Sequence, residues 1–135
     1  MPRSWDQRHA LSGHLTLQLG SQWRASLAAF AHSGWPITPP EVARDLGGVA
    51  GDAHTVSSAL RNSERLPDYF RLDARLSYLK SWQRSSFGVD LSLINLTDRK
   101  NICCLDVVVL EGLPLRVEQN TWTRIAPTLS LLYRF

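Results

Sequence analysis

The chain has 135 residues, the length of one domain, and its hydrophobic content of 44% with a mean hydropathy of −0.16 is typical of neither a helical membrane protein nor a disordered one. No run approaches the roughly 18 apolar residues of a membrane-spanning helix. The net charge of +3 comes from scattered arginines, whereas nucleic-acid binding favours a dense basic block. The opening residues MPRSWDQRH contain no apolar h-region, so no secretory signal peptide is expected.

The first two predicted strands, near residues 8–19 and 22–33, form a hairpin. Apolar and polar side chains alternate along both of them, which is typical of a strand with a different environment on each face. Gly20 and Ser21 between them favour a tight two-residue turn. Each strand has about ten residues, which is also the length of a membrane-crossing strand.

A long connection is predicted near residues 34–66. Its polar, weakly periodic sequence begins at a Gly-Trp-Pro segment, and Pro39 and Pro40 prevent a quick return of the chain. Residues 41–46 are expected to form one or two helical turns. A compact domain seldom carries a connection of about 30 residues, whereas outer-membrane barrels carry such loops on their external side.

The second predicted hairpin joins strands near residues 68–79 and 86–97. The first of these strands has the most regular alternation in the chain, and residues 80–85 form a short polar turn that holds Trp82. Alternation fails at residues 94–96, where a bulge or the rim of a barrel is expected. Four charged side chains are predicted to face one way on these neighbouring strands, as lumen-facing polar residues: Arg71, Asp73, Arg75 and Asp90. Pairing across strands is favoured for them over contact with a plug domain or a ligand path.

A second long connection is predicted near residues 98–123. The β-prone residues 107–110 and the turn-forming residues 112–114 indicate a hairpin that protrudes beyond the sheet. Cys103 and Cys104 are neighbours, and adjacent cysteines rarely bond to each other. Two thiols without a nearby histidine ligand also make a poor zinc site. They are therefore interpreted as ordinary loop or strand residues.

The last predicted strand, near residues 124–135, ends on an aromatic residue. Its two faces differ, which fits either a soluble core and water or lipid and the lumen of a barrel. The terminal aromatic resembles the C-terminal insertion signal of bacterial outer-membrane barrels. The residues that resemblance assigns to a barrel-assembly signal are Leu129, Leu131, Tyr133 and Phe135.

The predicted strands are connected alternately by short turns and long loops, as in outer-membrane barrels. This arrangement predicts an all-β protein, an antiparallel up-and-down meander of about five strands that is part of a transmembrane β-barrel. The short turns and the C-terminus would then share the periplasmic side. An aromatic girdle is expected there, formed by Trp23, Tyr78 and Trp82.

Five stretches carry motifs that are familiar when taken together: PRSWDQRHALSGHLTLQLG (2–20), SGWPITP (33–39), NSERLPDYFRLDARLSY (62–78), VDLSLINLTDRKN (89–101) and APTLSLLYRF (126–135). In this order they resemble the C-terminal strands of TonB-dependent outer-membrane receptors. The resemblance covers nearly the whole chain apart from the interiors of the two long connections. It implies a barrel of about 22 strands closed by a plug domain, located in the outer membrane, which takes up a scarce ligand such as a ferric siderophore.

The chain departs from that pattern in having only the last five strands of such a barrel. We expect a fragment, or a sequence whose start was placed too late, and we do not expect it to transport a ligand alone. The partners implied by the resemblance are outer-membrane lipid, the remainder of the barrel, the absent plug domain and the barrel-assembly machinery. TonB would be reached only through the missing N-terminal part.

No motif of catalysis is present, and no cofactor or nucleic acid is expected. The four histidines, His9, His14, His32 and His54, have neither metal-ligand spacing nor a partner nucleophile, and His14 and His32 are interpreted as solvated polar side chains that face the lumen. The alternative to the barrel fragment is a small soluble β-domain that binds a ligand in a cup-shaped sheet. A DNA-binding module is a third class and lacks a basic face.

Overall fold

The computed structural model describes residues 3–44, 54–58, 61–108 and 116–135. Every regular element in these ranges is a strand. The strands are β1 (Ala10–Leu19), β2 (Trp23–His32), β3 (Pro36–Ile37), β4 (Pro40–Arg44), β5 (His54–Ser58), β6 (Glu64–Arg65), β7 (Tyr69–Ser81), β8 (Ser86–Ile94), β9 (Ile102–Val108), β10 (Arg116–Thr121) and β11 (Ala126–Arg134). Among the described residues, no helix has the length and apolar character needed to cross a membrane.

Five of the strands form one antiparallel sheet in the order β1-β2-β7-β8-β11. The prediction of an all-β, antiparallel meander of five main strands is therefore confirmed. Strand bounds differ by a few residues. β1 begins at Ala10, and β8 ends at Ile94, three residues before the predicted end of that strand. The early end of β8 follows from Asn95, which has a positive φ of 53° and cannot continue a strand.

Alternation gives this sheet two chemically different faces. The apolar face is formed on β1 and β2 by Leu11, Leu15, Leu17, Leu19, Trp23 and Leu27, and on the other three strands by Phe70, Leu72, Leu76, Tyr78, Phe87, Val89, Leu91, Leu93, Leu129, Leu131 and Tyr133. The polar face is formed by His14, Thr16, Gln18, Arg24, Ser26, His32, Arg71, Asp73, Arg75, Ser77, Asp90, Ser92, Thr128, Ser130 and Arg134, together with a few apolar side chains such as Phe30 and Leu132.

Nothing in the described part of the chain packs over the apolar face. Leu11 is 75% exposed and Leu131 68% exposed, and Leu66 is the single hydrophobic side chain among the described residues that is buried. Leu66 belongs to the first long connection. Within the described residues the sheet thus forms a single layer, without the second layer that usually completes a soluble core.

The turn between β1 and β2 is longer than predicted. Leu19 pairs directly with Trp23, which leaves three residues in the turn, Gly20 to Gln22. Gly20 has a φ of 74°, a conformation that glycine adopts without steric cost. The predicted two-residue turn is wrong because Gln22 belongs to the turn and β2 begins one residue later.

The first long connection contains strands where a helix was predicted. β4 pairs with β5, and β3 pairs with β6, both antiparallel. The predicted helical turns over residues 41–46 are wrong for residues 41–44, and residues 45 and 46 lie outside the described part. A helix of one or two turns is poorly stable by itself because its first turn must be nucleated, and the backbone partner in β5 favours the extended form.

Gly34 anchors this connection to the sheet by a close approach of two backbones. A Cβ atom at position 34 would lie 1.5 Å from the carbonyl oxygen of Leu66, so no other residue fits without movement of the backbone. The Gly34 N–H donates to the Asp68 Oδ1 at 3.1 Å. The Arg65 guanidinium donates to the carbonyl oxygen of Gly34 at 2.9 Å and pairs with the Asp6 carboxylate at 2.5 Å. The lead-in before β1 is thereby tied to the same connection.

The second long connection holds the predicted hairpin, formed by β9 and β10 as an antiparallel pair. The predicted turn residues 112–114 lie outside the described part. The register between the two strands shifts once, because Asn120 pairs with Cys104 and the next residue, Thr121, pairs with Ile102. Cys103 is therefore an extra residue without a partner in the ladder, a β-bulge.

The two hairpins of the main sheet are displaced along the strands. The last pair of the β1–β2 ladder, Leu19 with Trp23, lies level with Tyr78 of β7. The β7–β8 ladder continues past Tyr78 to the pair Ser81 with Ser86. The short turns of the two hairpins thus lie at one end of the sheet, but at different heights.

Candidate functional site

The polar face of the main sheet holds an ion pair at its centre. The Arg75 guanidinium donates to the Asp90 Oδ1 through Nη2 at 2.9 Å and through Nε at 3.1 Å. The Ser77 hydroxyl donates to the same carboxylate oxygen. β7 and β8 place these groups together because Ser77 lies directly opposite Asp90 in the register. Arg75 and Asp90 thus pair across strands.

Arg71 and Asp73 pair along one strand, which differs from the predicted cross-strand pairing. The Arg71 Nη2 lies 3.0 Å from the Asp73 Oδ2, and both residues belong to β7. The arginine is directed along its own strand because its guanidinium carbon lies 4.9 Å above the ring of Phe30, the residue opposite on β2. Asp73 also accepts a hydrogen bond from the backbone N–H of Asn95 at 2.9 Å, which connects the polar face to the end of β8.

A concavity with a volume of about 560 Å³ lies against this face. Its polar lining includes His14, Thr16, Arg24, Ser26, Asp73 and Arg75. Thr16 and Ser26 share a hydrogen bond of 3.2 Å between their hydroxyls, and Arg24 donates to the Gln18 amide at 3.3 Å. Arginines outnumber aspartates on the face. Such a surface suits water and anionic or polar groups.

Aromatic side chains collect at the end of the sheet that carries the short turns. The rings of Trp23 and Tyr78, which are opposite each other on β2 and β7, lie 4.7 Å apart between centroids. Trp82 lies in the β7–β8 turn, with the Lys80 ammonium 5.3 Å from its ring centroid. The rings of Tyr133 and Phe135 are 6.2 Å apart at the end of β11. Both sets of aromatic residues singled out in the sequence thus lie at this one end.

The opposite end of the sheet is organised by Asn95. Its side chain is fully buried. The Nδ2 group donates to the carbonyl oxygens of Arg99 at 2.9 Å and Thr123 at 3.2 Å, and the Oδ1 atom accepts the Arg99 N–H at 3.3 Å. One side chain therefore joins the end of β8, the following turn and the approach to β11.

Asn101 completes the hydrogen bonding of β7 in a similar way. Its Nδ2 group donates to the carbonyl oxygen of Phe70 at 2.8 Å, and its Oδ1 atom accepts the N–H of Phe70 at 3.0 Å. A side-chain amide thus takes the place of a neighbouring backbone where β7 extends beyond β8.

His32 lies at this end within an aromatic stack. Its ring is parallel to that of Tyr69 with centroids 4.6 Å apart, and it also stacks on Trp35 at 5.1 Å. The side chain is half-buried, so His32 lies on the polar face as predicted but is only partly solvated. The signal in the sequence was the nearby Trp35, whose stacking on His32 depends on the fold of the connection.

Asp98 and Arg124 tie the turn after β8 to the residues before β11. The Arg124 Nε donates to the Asp98 Oδ1 at 2.7 Å, and its Nη2 donates to the other carboxylate oxygen. The backbone N–H of Ile125 also donates to the Asp98 Oδ1 at 3.1 Å. The Arg124 hydrogen bonds, followed by the Ile125 N–H, lower the pKa of Asp98 from its ordinary value of 3.8 to about 2.

The interaction of Asp98 with Arg124 is expected to weaken only in strong acid. Because the folded-state pKa of Asp98 is depressed, its stabilising contribution is complete above about pH 4 and is lost as the pH falls through about 2. NMR titration of the Ile125 amide is expected to report that low pKa. Arg124→Gln is expected to raise it toward the ordinary value, whereas Arg84→Gln, in the turn at the other end of the sheet, is expected to leave it unchanged. An Ile125 amide that titrates near pH 4 in the unmodified protein would contradict the assignment.

The described residues contain no group of three or more histidine, cysteine or acidic side chains placed to hold a metal ion. The candidate site consists instead of the polar face of the main sheet and its two ends. One end carries the aromatic side chains, and the other is held by the hydrogen bonds of Asn95 and Asn101.

Comparison with protein-family models, with curated proteins and with solved structures finds no significant match to the chain. Its function is therefore inferred from the two faces, the two ends and the edges of its sheet.

Proposed function

We propose that the chain is the C-terminal strand segment of a TonB-dependent outer-membrane receptor, a barrel that takes up a scarce ligand such as a ferric siderophore. The observation that carries the proposal is the exposed apolar face, which extends over all five strands of a sheet whose other face is polar. A wall of a membrane barrel requires this combination, because one face contacts lipid and the other contacts the water-filled or plugged lumen.

The exposed apolar face favours lipid over water as its surroundings. Soluble monomers rarely expose contiguous apolar patches larger than a few hundred Å². Here the leucines of five adjacent strands form one such surface, and among the described residues no second layer covers it. The main strands have lengths of 9 to 13 residues, which matches the roughly 9–11 residues that a strand needs to cross a bilayer.

The edges of the sheet favour a segment over a complete barrel. In the described sheet β1 pairs only with β2, and β11 pairs only with β8, so each outer strand has one unpaired edge. In lipid, each unpaired backbone group costs several kcal/mol. Further strands of a parent barrel would satisfy these groups. The chain would then contribute part of the wall, and transport would belong to the parent protein.

Each set of residues has a role in the proposed barrel. Trp23, Tyr78 and Trp82 form the aromatic girdle at the periplasmic interface, where amphipathic rings are favoured. The Arg75–Asp90 pair and its neighbours face the lumen, where the excess of arginines suits contact with a plug domain or an anionic ligand. Leu129, Leu131, Tyr133 and Phe135 present the assembly signal to the barrel-assembly machinery.

The proposal is tested by the size and location of the native polypeptide that carries these residues. An antibody raised against the β9–β10 hairpin is expected to detect, in the outer-membrane fraction, a species several times larger than 15.2 kDa. A species found only in the soluble fraction at 15.2 kDa would overturn the membrane assignment and favour a soluble β-domain with a ligand cup on its polar face. A membrane species of that small mass would overturn the single-parent barrel and favour assembly from several chains.

Deletion of Phe135 distinguishes a barrel segment from a soluble domain. Its side chain is fully exposed, so its loss from a soluble fold would change the free energy of unfolding by less than about 0.5 kcal/mol. For a barrel segment we expect the amount assembled in the outer membrane to fall several-fold, as measured by immunoblot of the membrane fraction. Arg134→Ala, one residue earlier and on the polar face, is the matched control and is expected to assemble normally. Equal assembly of both variants would contradict an assembly role for Phe135.

A further inference from the structure

Two thiols lie side by side in the β9–β10 hairpin. The Sγ atoms of Cys103 and Cys104 are 2.7 Å apart, and both cysteines are free. Cys104 is exposed and Cys103 half-buried. We infer that these two cysteines are an oxidation site at which a reversible disulfide closes between neighbouring residues of one strand.

The β-bulge explains why the two thiols meet. In a regular strand, successive side chains point to opposite faces, which would keep neighbouring sulfur atoms apart. Here the ladder skips Cys103, since Asn120 pairs with Cys104 and Thr121 pairs with Ile102. A bulge bends its strand and redirects a side chain. The bulge falls on the cysteine pair itself and brings their sulfur atoms together.

The backbone makes the resulting bond easy to reduce. Neighbouring Cα atoms are held about 3.8 Å apart by a trans peptide, whereas most disulfides join Cα atoms about 4.4–6.8 Å apart. A ring closed at the shorter distance is strained, and strained or exposed disulfides are the ones that low-molecular-weight thiols reduce most readily. The expected behaviour is therefore reversible oxidation, in contrast to the permanent bond of a structural disulfide.

The reaction is a pair of thiol–disulfide exchanges with a small disulfide such as oxidised glutathione. The exposed Cys104 loses its proton, and its thiolate attacks one sulfur of the oxidant, which forms a mixed disulfide and releases one glutathione thiolate. The Cys103 thiolate then attacks the Cys104 sulfur, which closes the ring and releases the second glutathione. Two protons leave the protein, and two electrons pass to the oxidant.

The environment of Cys104 predicts how the first step depends on pH. The hydrogen bond with Cys103, followed by burial, raises the pKa of the Cys104 thiol. Little thiolate is present near neutrality, so ring closure is expected to accelerate as the pH rises.

The test uses the native polypeptide that carries these residues, purified folded in mild detergent, and oxidised glutathione, and the peptide that contains Cys103 and Cys104 is detected by its mass after alkylation. The wild-type chain is expected to become two hydrogen atoms lighter, to carry no glutathione and to resist alkylation until a reductant is added. Cys103→Ser and Cys104→Ser each lack the second thiol, and the Cys103→Ser variant is expected to retain one glutathione as a stable mixed disulfide. The inference would be overturned if the wild-type chain retained glutathione, if both thiols could still be alkylated after oxidation, or if disulfide-linked dimers formed.

A second measurement tests the role of the bulge. The same oxidation in concentrated denaturant is expected to close the ring more slowly and to leave more mixed disulfide, because the unfolded chain no longer holds the two sulfur atoms together. Equal closure in the folded and unfolded chains would show that the hairpin does not direct the reaction. Neither result depends on whether the main sheet is part of a barrel, since the hairpin is a separate sheet.

Discussion

In the proposed barrel, Leu131→Lys is expected to destabilise the protein by about 2–4 kcal/mol, the cost of a lysine on the lipid face near the bilayer midplane. Leu131 lies on the apolar face, opposite Val89, and its side chain is 68% exposed. In water the same substitution at so exposed a position would have little effect. The measurement is the amount of protein that resists alkaline extraction from outer membranes, followed by denaturant unfolding of the reconstituted protein.

Leu132→Lys is the matched control for this substitution. Leu132 is the next residue on the same strand and lies on the polar face, opposite Gly88. In the proposed barrel, a lysine there would extend into the lumen, and it is expected to be tolerated. If both variants are destabilised equally, both faces are buried in protein. If neither variant is destabilised, both faces contact water. Either result would contradict lipid contact on one face alone.

Asn95→Ala is expected to destabilise the loop end of the sheet by about 2–4 kcal/mol, since it leaves several buried backbone groups without partners. The substitution removes the hydrogen bonds to Arg99 and Thr123. It also places alanine at a φ of 53°, which asparagine tolerates better. The Leu96 N–H, which donates to the carbonyl oxygen of Leu72 at 2.7 Å, is a probe that the substitution does not touch directly. Its hydrogen-exchange protection is expected to fall roughly 30- to 1,000-fold.

Asn120→Ala is the control for the removal of an asparagine side chain. Asn120 is exposed on β10, and its amide donates to the Asp106 carboxylate at 2.5 Å. Its loss is expected to change stability by less than about 0.5 kcal/mol and to leave the Leu96 amide protected. If Asn95→Ala leaves that amide equally protected, the buried amide network does not hold the end of the sheet.

The main sheet could be predicted because its signal is local. The strand that contains Arg71, Leu72 and Asp73 alternates from Phe70 to Tyr78, and alternation alone fixes which side chains share a face. The hairpin in the second connection was predicted for the same reason, from a β-prone run followed by turn residues. The partners of the charged residues were predicted less well. The ring of Phe30 on the neighbouring strand helps to direct Arg71 toward Asp73, and a pattern within one strand does not include that ring.

The ends of the sheet could not be predicted because their bonds join distant residues. Asn95 and Asn101 read as ordinary polar residues in the sequence, and their importance depends on carbonyl groups of Thr123 and Phe70 that only the folded chain brings near. The strands over residues 40–44 and 54–58 were missed because their alternation is weak and their pairing is with each other across the connection. Such pairing is decided by the partner more than by local propensity.

The displacement of the two hairpins has a consequence for how the sheet would cross a bilayer. Three residues of extra ladder, from Tyr78 to Ser81, correspond to about 10 Å along the strand, and the hairpins are about 10 Å apart across two strand spacings. If both short turns lie at the same membrane surface, the strands incline by about 45° to the bilayer normal, at the upper end of the roughly 35–45° found in barrels. A ten-residue strand such as β1 would then cover about 23 Å of depth, close to the apolar band of about 25 Å in outer-membrane barrels. In the proposed barrel, the hydrogen-bond register would thus fit the thickness of a bilayer.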